Sequence, residues 1–301
     1  MKTETLSEHH VLVQGLSTAY LDEGTGPVLL LVHGNVTTFR SWQRIVEEFR
    51  TTHRVLALSL PGYGGTSPLG ETSLDSQVSF LAAFLDVLSV DEAIVLGHSA
   101  GGLIAATFAL EHPGRVTRLV LVDSAGLGRA ASPILILGSL LPDRALDLVT
   151  AALVFPGGSI PRALMSGLQM RRLWRVSFRE WRDQISKTQA RTLLSTSFRM
   201  ARMAVGATGQ RRAYRVDDRL GELPMPTLVI WGLTDEVFPV WQGMRAAGKI
   251  PRGRLAVLAG AGHVGYLDSH VEFADVLGPF VRDEPDAPSI PDGAERAAAS
   301  R

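Results

Sequence analysis

The chain has no cysteine among its 301 residues. That absence excludes disulfide scaffolds, thiolate metal sites and a cysteine nucleophile together, while leaving the redox compartment open. Net charge is missing too: 30 Lys and Arg balance 30 Asp and Glu. No global field therefore draws the protein to nucleic acid. Long apolar runs are also lacking. Met1 to Gln14 carries Glu4, Glu8, His9 and His10 rather than the apolar centre of a secretory signal. The most apolar stretch, Pro133 to Leu141, is interrupted by Gly138 and falls far short of the roughly 20 residues of a membrane helix. A cytoplasmic protein without stable membrane insertion is the expectation. What the chain does have is apolar material for a large core, 46% of its residues.

That material is distributed in short runs rich in Val, Ile and Leu: Val28 to Val32, Val55 to Leu60, Ala93 to Leu96, Leu119 to Val122, Thr227 to Trp231 and Leu255 to Leu258. Continuous runs of this length suit strands buried on both faces of a parallel sheet. Helical patterns lie between them. Leu74, Val78, Leu81, Leu85 and Leu88 recur at helical spacing behind a Thr72–Asp75 capping box, and Phe273, Val276, Leu277 and Phe280 do so behind Ser269 and Glu272. Val11 to Val13 and Thr18 to Leu21 alternate around Gly15 as an edge hairpin. Strand–helix alternation means an α/β architecture. It stops between about Leu127 and Arg215, where Trp174, Phe178, Trp181 and Ile185 share one helical face and Leu194 and Phe198 another. The expected organisation is a core of residues 1–126 and 216–282 with a helical cap at 127–215. The Pro-, Asp-, Ala- and Ser-rich residues 283–301 are expected to form a disordered tail.

The strongest local signal is Gly97-His98-Ser99-Ala100-Gly101, set between the strand Ala93 to Leu96 and the helical run Leu103 to Leu110. An abrupt strand-to-helix turn forces its central serine into a strained backbone conformation and needs small neighbours two residues away. It presents the Ser99 hydroxyl above the sheet, next to free N–H groups of the new helix. A serine needs a base, and the base needs an acid to fix its tautomer. His263 follows the strand Leu255 to Leu258, and Asp235 follows the strand before it. Both thus lie at carboxyl ends, where an open α/β sheet places its site. Asp123, after Leu119 to Val122, is the serious rival for the acid, with adjacent Glu236 a weaker one. Among other histidines, His33 organises a loop, His98 points away from the nucleophile, and His53, His112 and His270 read as surface or helix-end residues. Acyl transfer also needs two N–H donors for an oxyanion. Ala100 supplies one; Asn35, in His33-Gly34-Asn35-Val36, is the first choice for the other and Val36 the second.

Gly24-Thr25-Gly26-Pro27-Val28 running into His33-Gly34, the Gly97-to-Gly101 elbow, Trp231-Gly232 with Asp235, and Gly262-His263 together resemble the α/β-hydrolase superfamily over about residues 10–282. The resemblance implies an eight-stranded, mostly parallel sheet flanked by helices, with a helical cap between the sixth and seventh strands. His33-Gly34-Asn35 is similar to the haloalkane dehalogenases, but those enzymes and the epoxide hydrolases use an aspartate where this chain has Ser99. Ser124-Ala125-Gly126-Leu127-Gly128 faintly resembles meta-cleavage carbon–carbon hydrolases, which usually carry a methionine where this chain has Ala100 and a more glycine-rich oxyanion loop. The His-Gly-Gly-Gly loop of hormone-sensitive-lipase relatives is absent. Small esterases, lipases and perhydrolase-like relatives remain.

Pro161 to Arg215 is rich in arginine, with only Glu180 and Asp183 as acids. Such asymmetry suits an anionic substrate, an acidic carrier protein or a membrane surface, but solvated arginine faces on amphipathic helices explain it more simply. Ile134 to Leu141 and Leu153 to Phe155 are apolar enough to wall an acyl pocket or to pack a cap onto the core. The expected activity is hydrolysis of a small or medium apolar ester by Ser99, His263 and Asp235, with the Asn35 and Ala100 N–H groups holding the oxyanion. It needs no metal or organic cofactor. A carbon–carbon hydrolase or lyase using the same three residues, and a non-catalytic ligand receptor on the same scaffold, are the alternatives.

Overall fold

The computed structural model describes residues 6–70, 72–142, 144–148 and 187–284. Its centre is an eight-stranded sheet in the order β1-β2-β4-β3-β5-β6-β9-β10. The strands are β1 (Glu8–Val13), β2 (Leu16–Glu23), β3 (Val28–Val32), β4 (Arg54–Leu58), β5 (Ala93–His98), β6 (Val116–Val122), β9 (Thr227–Gly232) and β10 (Gly253–Leu258). β1 and β2 form an antiparallel hairpin, β2 pairs antiparallel with β4, and every other pairing is parallel. The hairpin turns on Gln14 and Gly15, both at positive φ (49° and 79°), as a two-residue turn matched to strand twist requires.

The apolar runs are continuous because both faces of the sheet are covered. Leu30 and Val32 pack on one side, with α2 (Leu74–Val87), α3 (Ala100–Glu111) and α6 (Val240–Lys249). Leu29 and Leu31 pack on the other, with α1 (Gln43–Phe49) and α8 (His270–Val281). Alternate residues of one strand thus feed two separate apolar layers. β3 lies between β4 and β5, so the chain reverses its direction of travel across the sheet there. The loops leaving β3 and β5 are left side by side at the carboxyl edge, the usual crevice of an open α/β sheet.

Two cap assignments need correction. The N-cap of α2 is Ser73, in a reciprocal capping box with Ser76, rather than Thr72 with Asp75. Serine can both accept from and donate to the backbone in this motif, and one residue's shift of the helix start gives Ser76 that role. Ser269 is the N-cap of α8 but its side chain makes no cap hydrogen bond, because the short helix α7 (Gly265–Asp268) runs directly into it. His53 is another correction. It is buried, its ring edge meeting the Val281 carbonyl at 3.2 Å, and is a tie between α1 and α8 rather than a surface residue.

Between β6 and β9 the described residues hold α4 (Pro133–Ser139), α5 (Lys187–Ala204) and a two-stranded ribbon of β7 (Val205–Gly206) and β8 (Gly209–Gln210). This segment is tied to the sheet by buried amides. Gln210 Oε1 accepts from the Gly126 N–H at 2.7 Å, and the Nε2 groups of Gln210 and Gln242 both donate to the Ala130 carbonyl at 3.0 Å. The expected Trp174–Ile185 face and Leu153 to Phe155 lie outside the described residues, as does the expected tail apart from Asp283 and Glu284. Among the described residues no helix is long and apolar enough to cross a membrane.

Candidate active site

Ser99 sits at the β5–α3 junction with φ 53° and ψ −119°. A non-glycine residue held there stores roughly 1–3 kcal/mol of strain, which only a surrounding structure that fixes the turn can sustain. The surroundings do so by closeness. A Cβ at Gly97 would lie 2.4 Å from the Gly101 carbonyl oxygen, and one at Gly101 would lie 2.3 Å from that of His33. The glycines that flank Ser99 by two residues are therefore required by sterics. Only 8% of Ser99 is exposed.

His263 lies in the loop after β10 and Asp235 in the loop after β9. The structure brings them to Ser99: the Ser99 hydroxyl donates to His263 Nε2 at 2.9 Å, and His263 Nδ1–H donates to Asp235 Oδ2 at 3.0 Å. Asp235 is fixed on its other side, Oδ1 accepting from the Val237 and Phe238 N–H groups at 2.7 and 3.1 Å. Burial alone pushes the His263 imidazole down, but the charge and hydrogen bond of Asp235 outweigh it and hold the ring above the ordinary histidine range.

Asp123, the rival acid, does not hold His263 Nδ1. It is fully buried at the end of β6, and its Oδ1 accepts from the Gly232 N–H at 2.7 Å. Burial first, and the charge of Asp235 second, push its carboxyl up to about 8, which favours the protonated acid. Glu236 borders a second cavity that it shares with Asp235, outside the Ser99–His263 line.

His98 carries more than the sequence indicated. Its Nε2–H donates to the main-chain carbonyl of His263 at 2.7 Å, so the residue before the serine props the loop that carries the histidine. Burial and the neighbouring His263 keep it neutral, well below the ordinary range. His33 is likewise neutral, burial holding it at about 4. Its Nδ1–H donates to the Gly34 carbonyl at 2.8 Å, and Nε2 accepts from the Leu60 N–H at 3.0 Å.

The loop after β3 reaches the same place. A Cβ on Gly34 would lie 2.9 Å from the Ser99 Cβ, so only glycine lets the backbone pass this close. Asn35 and Ala100 both border the Ser99 cavity. Val36 also does, but its N–H already donates to Ser197 Oγ at 3.1 Å, and it holds φ at 57°, a sparse region for a β-branched residue. Two residues that sequence reasoning passed over, Ser197 and Tyr63, therefore hold this loop, since the Tyr63 hydroxyl donates to Asn35 Oδ1 at 2.7 Å.

The cavity has a volume of about 150 Å³. Its far wall comes from the segment between β6 and β9: Leu135 of α4, and Phe198, Met200, Ala201 and Ala204 of α5. The polar groups on its lining are Ser99, His263, Asn35, Ser132, Ser197, Gln210 and Tyr214, and no charged side chain lines it among the described residues. Of the apolar run proposed as an acyl wall, Leu135 faces the cavity, whereas Leu137 and Leu140 are 66% and 54% exposed. Of the three arginines of α5, Arg191 and Arg199 are exposed and Arg202 is half-buried.

Residues 27–269 match the family model of the α/β-hydrolase fold, and the chain belongs to that family. It is similar to the 2-hydroxymuconate semialdehyde hydrolase of Pseudomonas sp. (strain CF600), with 28% identity over 292 residues that cover 93% of this chain and 95% of that one. Among solved structures, a membrane phospholipase A described as a bacterial virulence factor superposes with a TM-score of 0.71 at 25% identity, covering 92% of this chain and 86% of the other. A putative lipase from Acinetobacter baumannii AYE shares the fold, with a TM-score of 0.72 at 21% identity over 92% of this chain and 91% of its own.

Proposed function

We propose that the protein is a serine hydrolase that cleaves a small or medium apolar carboxylic ester. One observation carries the reading: an unbroken hydrogen-bonded line from Asp235 through His263 to Ser99 opens on an uncharged cavity of about 150 Å³. That volume is close to one that accommodates benzene in an engineered protein, so the acyl portion it suits has about six carbons. A carboxylate substrate would need a countercharge when desolvated, and no Arg or Lys stands among the described lining residues.

In the proposed reaction Ser99 Oγ bonds to the ester carbonyl carbon while its proton passes to His263 Nε2. Asp235 fixes the ring by its Nδ1–H and stabilises the imidazolium that forms. The carbonyl electrons move onto oxygen, and the main-chain N–H groups of Asn35 and Ala100 receive that oxyanion. Collapse breaks the bond to the alcohol, which takes the proton from His263. Water then enters, gives a proton to His263, attacks the acyl-enzyme and releases the acid with Ser99 restored. The segment between β6 and β9 acts as the cap that selects the acyl group.

The test is labelling with a fluorophosphonate, run beside a panel of p-nitrophenyl esters of increasing acyl length, wild type against Ser99→Ala. Labelling and turnover in the wild type alone, best at short to medium chains, is expected. Labelling that survives the substitution overturns the nucleophile assignment.

Carbon–carbon bond hydrolysis with the same residues is the second reading, favoured by the likeness to 2-hydroxymuconate semialdehyde hydrolase along nearly the whole of both chains. Turnover of a dienone acid with no activity on the ester panel decides for it.

A further inference from the structure

The loop after β3 is gripped by a ring of hydrogen bonds that closes through the segment beyond β6. The Val36 N–H donates to Ser197 Oγ at 3.1 Å, the Ser197 hydroxyl turns toward the Tyr63 oxygen at 3.5 Å, and the Tyr63 hydroxyl donates to Asn35 Oδ1 at 2.7 Å. Asn35 is thus held by its side chain and its neighbour Val36 by its main chain, from two partners that also meet each other. Ser197 is buried, faces the cavity that holds Ser99 and His263, and comes from α5, 161 residues away from Val36. Its helix is seated firmly: a Cβ at Gly62, which has φ 88°, would lie 2.5 Å from Thr196 Oγ1. Only a glycine at 62 lets α5 come close enough for Ser197 to reach the loop.

The conformation being gripped is not one the loop would keep unaided. Val36 is β-branched and sits at φ 57°, where such residues are rarely found without outside support. Its N–H, turned by that conformation toward α5, finds its acceptor in a side chain rather than in the loop itself.

We infer that Ser197 is a positioning residue for the oxyanion loop. Through its hydroxyl, α5 fixes Asn35 and Val36 in the strained conformation that presents the Asn35 N–H to the reacting carbonyl. The inference rests on the reading of Asn35 as an oxyanion donor and deepens it. The segment that walls the acyl cavity also completes the machinery, so a substrate that displaces α5 loosens the very group that must stabilise its transition state. Selection of the acyl group and catalytic rate are in this way coupled through one hydroxyl.

The experiment compares wild type with Ser197→Ala, Tyr63→Phe and the double variant in the full-length protein. Three readouts are taken: kcat and KM on a short p-nitrophenyl ester, the inhibition constant of a trifluoromethyl ketone that forms an oxyanion on Ser99, and labelling by a fluorophosphonate as a check on folding. Ser197→Ala is expected to lower kcat about tenfold, less than the loss of an oxyanion donor itself would. KM should move less than about twofold, because the lost interaction acts in the transition state. The ketone should bind weaker by the same factor as kcat falls. Tyr63→Phe cuts the ring at the Asn35 carboxamide and should do the same to a smaller degree. The double variant should be little worse than Ser197→Ala, since both act on one loop. A Ser197→Ala enzyme with unchanged kcat and ketone affinity, or with only KM raised, overturns the inference and leaves Ser197 as cavity wall. Fully multiplicative losses in the double variant also overturn it. Should Ser197→Ala fail to take the label, Tyr63→Phe decides by the same criteria. These results are separable from the proposed ester hydrolysis, which fails if the wild type turns over no ester of the panel or if Ser99→Ala keeps its label or its turnover.

Discussion

At the carboxyl edge of the sheet, strand ends and tight loops hold Ser99, His263 and Asp235, and each is locked by a further group: the strained turn, the His98 prop under the His263 carbonyl, and the two N–H groups on Asp235. Across the cavity, α4 and α5 offer mainly methyl, thioether and ring surfaces, with Ser197 as their one hydrogen bond to the oxyanion loop among those described. The Ser99, His263 and Asp235 side chains stand just beyond the ends of parallel strands, where a misplacement of about 1 Å would cost the proposed reaction on the order of a hundredfold in rate. The far wall stands on the segment between β6 and β9, where side chains other than Ser197 are free to vary without disturbing that geometry.

The contrast is broken most severely from the sheet side. Ser99→Ala should lower ester turnover by about 10⁴-fold or more, read as kcat. Asp235→Asn should cost nearly as much, about 10⁴-fold, because it admits the wrong tautomer of His263. Asp235 also raises the imidazole, and the base works only when neutral. Activity should therefore rise with pH through a midpoint above the ordinary histidine value in the wild type, and that midpoint should move to lower pH in Asp235→Asn. A profile that does not move would mean that Asp235 is not the partner of His263.

Asp123 sharpens the comparison inside the core. With its carboxyl pushed toward the protonated form, it resembles an asparagine, and Asp123→Asn should keep activity within about tenfold while the acceptor for the Gly232 N–H is retained. The consequence for stability follows from its raised carboxyl. The folded protein binds this proton more tightly than the unfolded chain, whose carboxyl titrates near 3.9. The stabilisation is full below that value and is lost as pH rises toward about 8. Relative to wild type, the melting temperature of Asp123→Asn should thus increase between about pH 5 and pH 8. Parallel curves would contradict the raised carboxyl.

The cavity wall gives smaller effects of another kind. Phe198→Ala should shift the preferred ester to longer acyl chains, changing the ratio of kcat/KM between long and short esters by about 10–200-fold with little loss on the best substrate. Smallest of all, Arg191→Gln with Arg199→Gln should leave kcat/KM and its salt dependence unchanged, because both side chains are exposed outside the cavity. A steep loss of salt dependence would instead mark an anionic substrate or partner.

Much of the fold was legible because burial on both sheet faces demands continuous apolar runs, and six such runs were enough to place the parallel strands. The serine turn was legible because its glycines are enforced by clashes of under 2.5 Å. The placing of Ser99, Asp235 and His263 just after separate parallel strands foretold that they could meet. What local pattern could not reveal were contacts between distant segments. Nothing in the local pattern singles out Ser197 or Tyr63, and His53 reads as a surface ring; only the approach of residues 134, 161 or 228 positions away gives them roles. The choice between Thr72 and Ser73 as a cap was missed for a different reason, since both are good caps and helix ends shift by a residue without cost to the core.

The most direct test of the central claim, that the Ser99 hydroxyl activated by His263 captures an acyl group, is intact-protein and peptide mass measurement after rapid acid quench of a p-nitrophenyl butyrate reaction. The account predicts a burst of nitrophenol matched by a butyryl adduct on the peptide containing Ser99, absent from Ser99→Ala. Turnover without any such adduct or burst in the wild type, or an adduct on another residue that persists in Ser99→Ala, would contradict it.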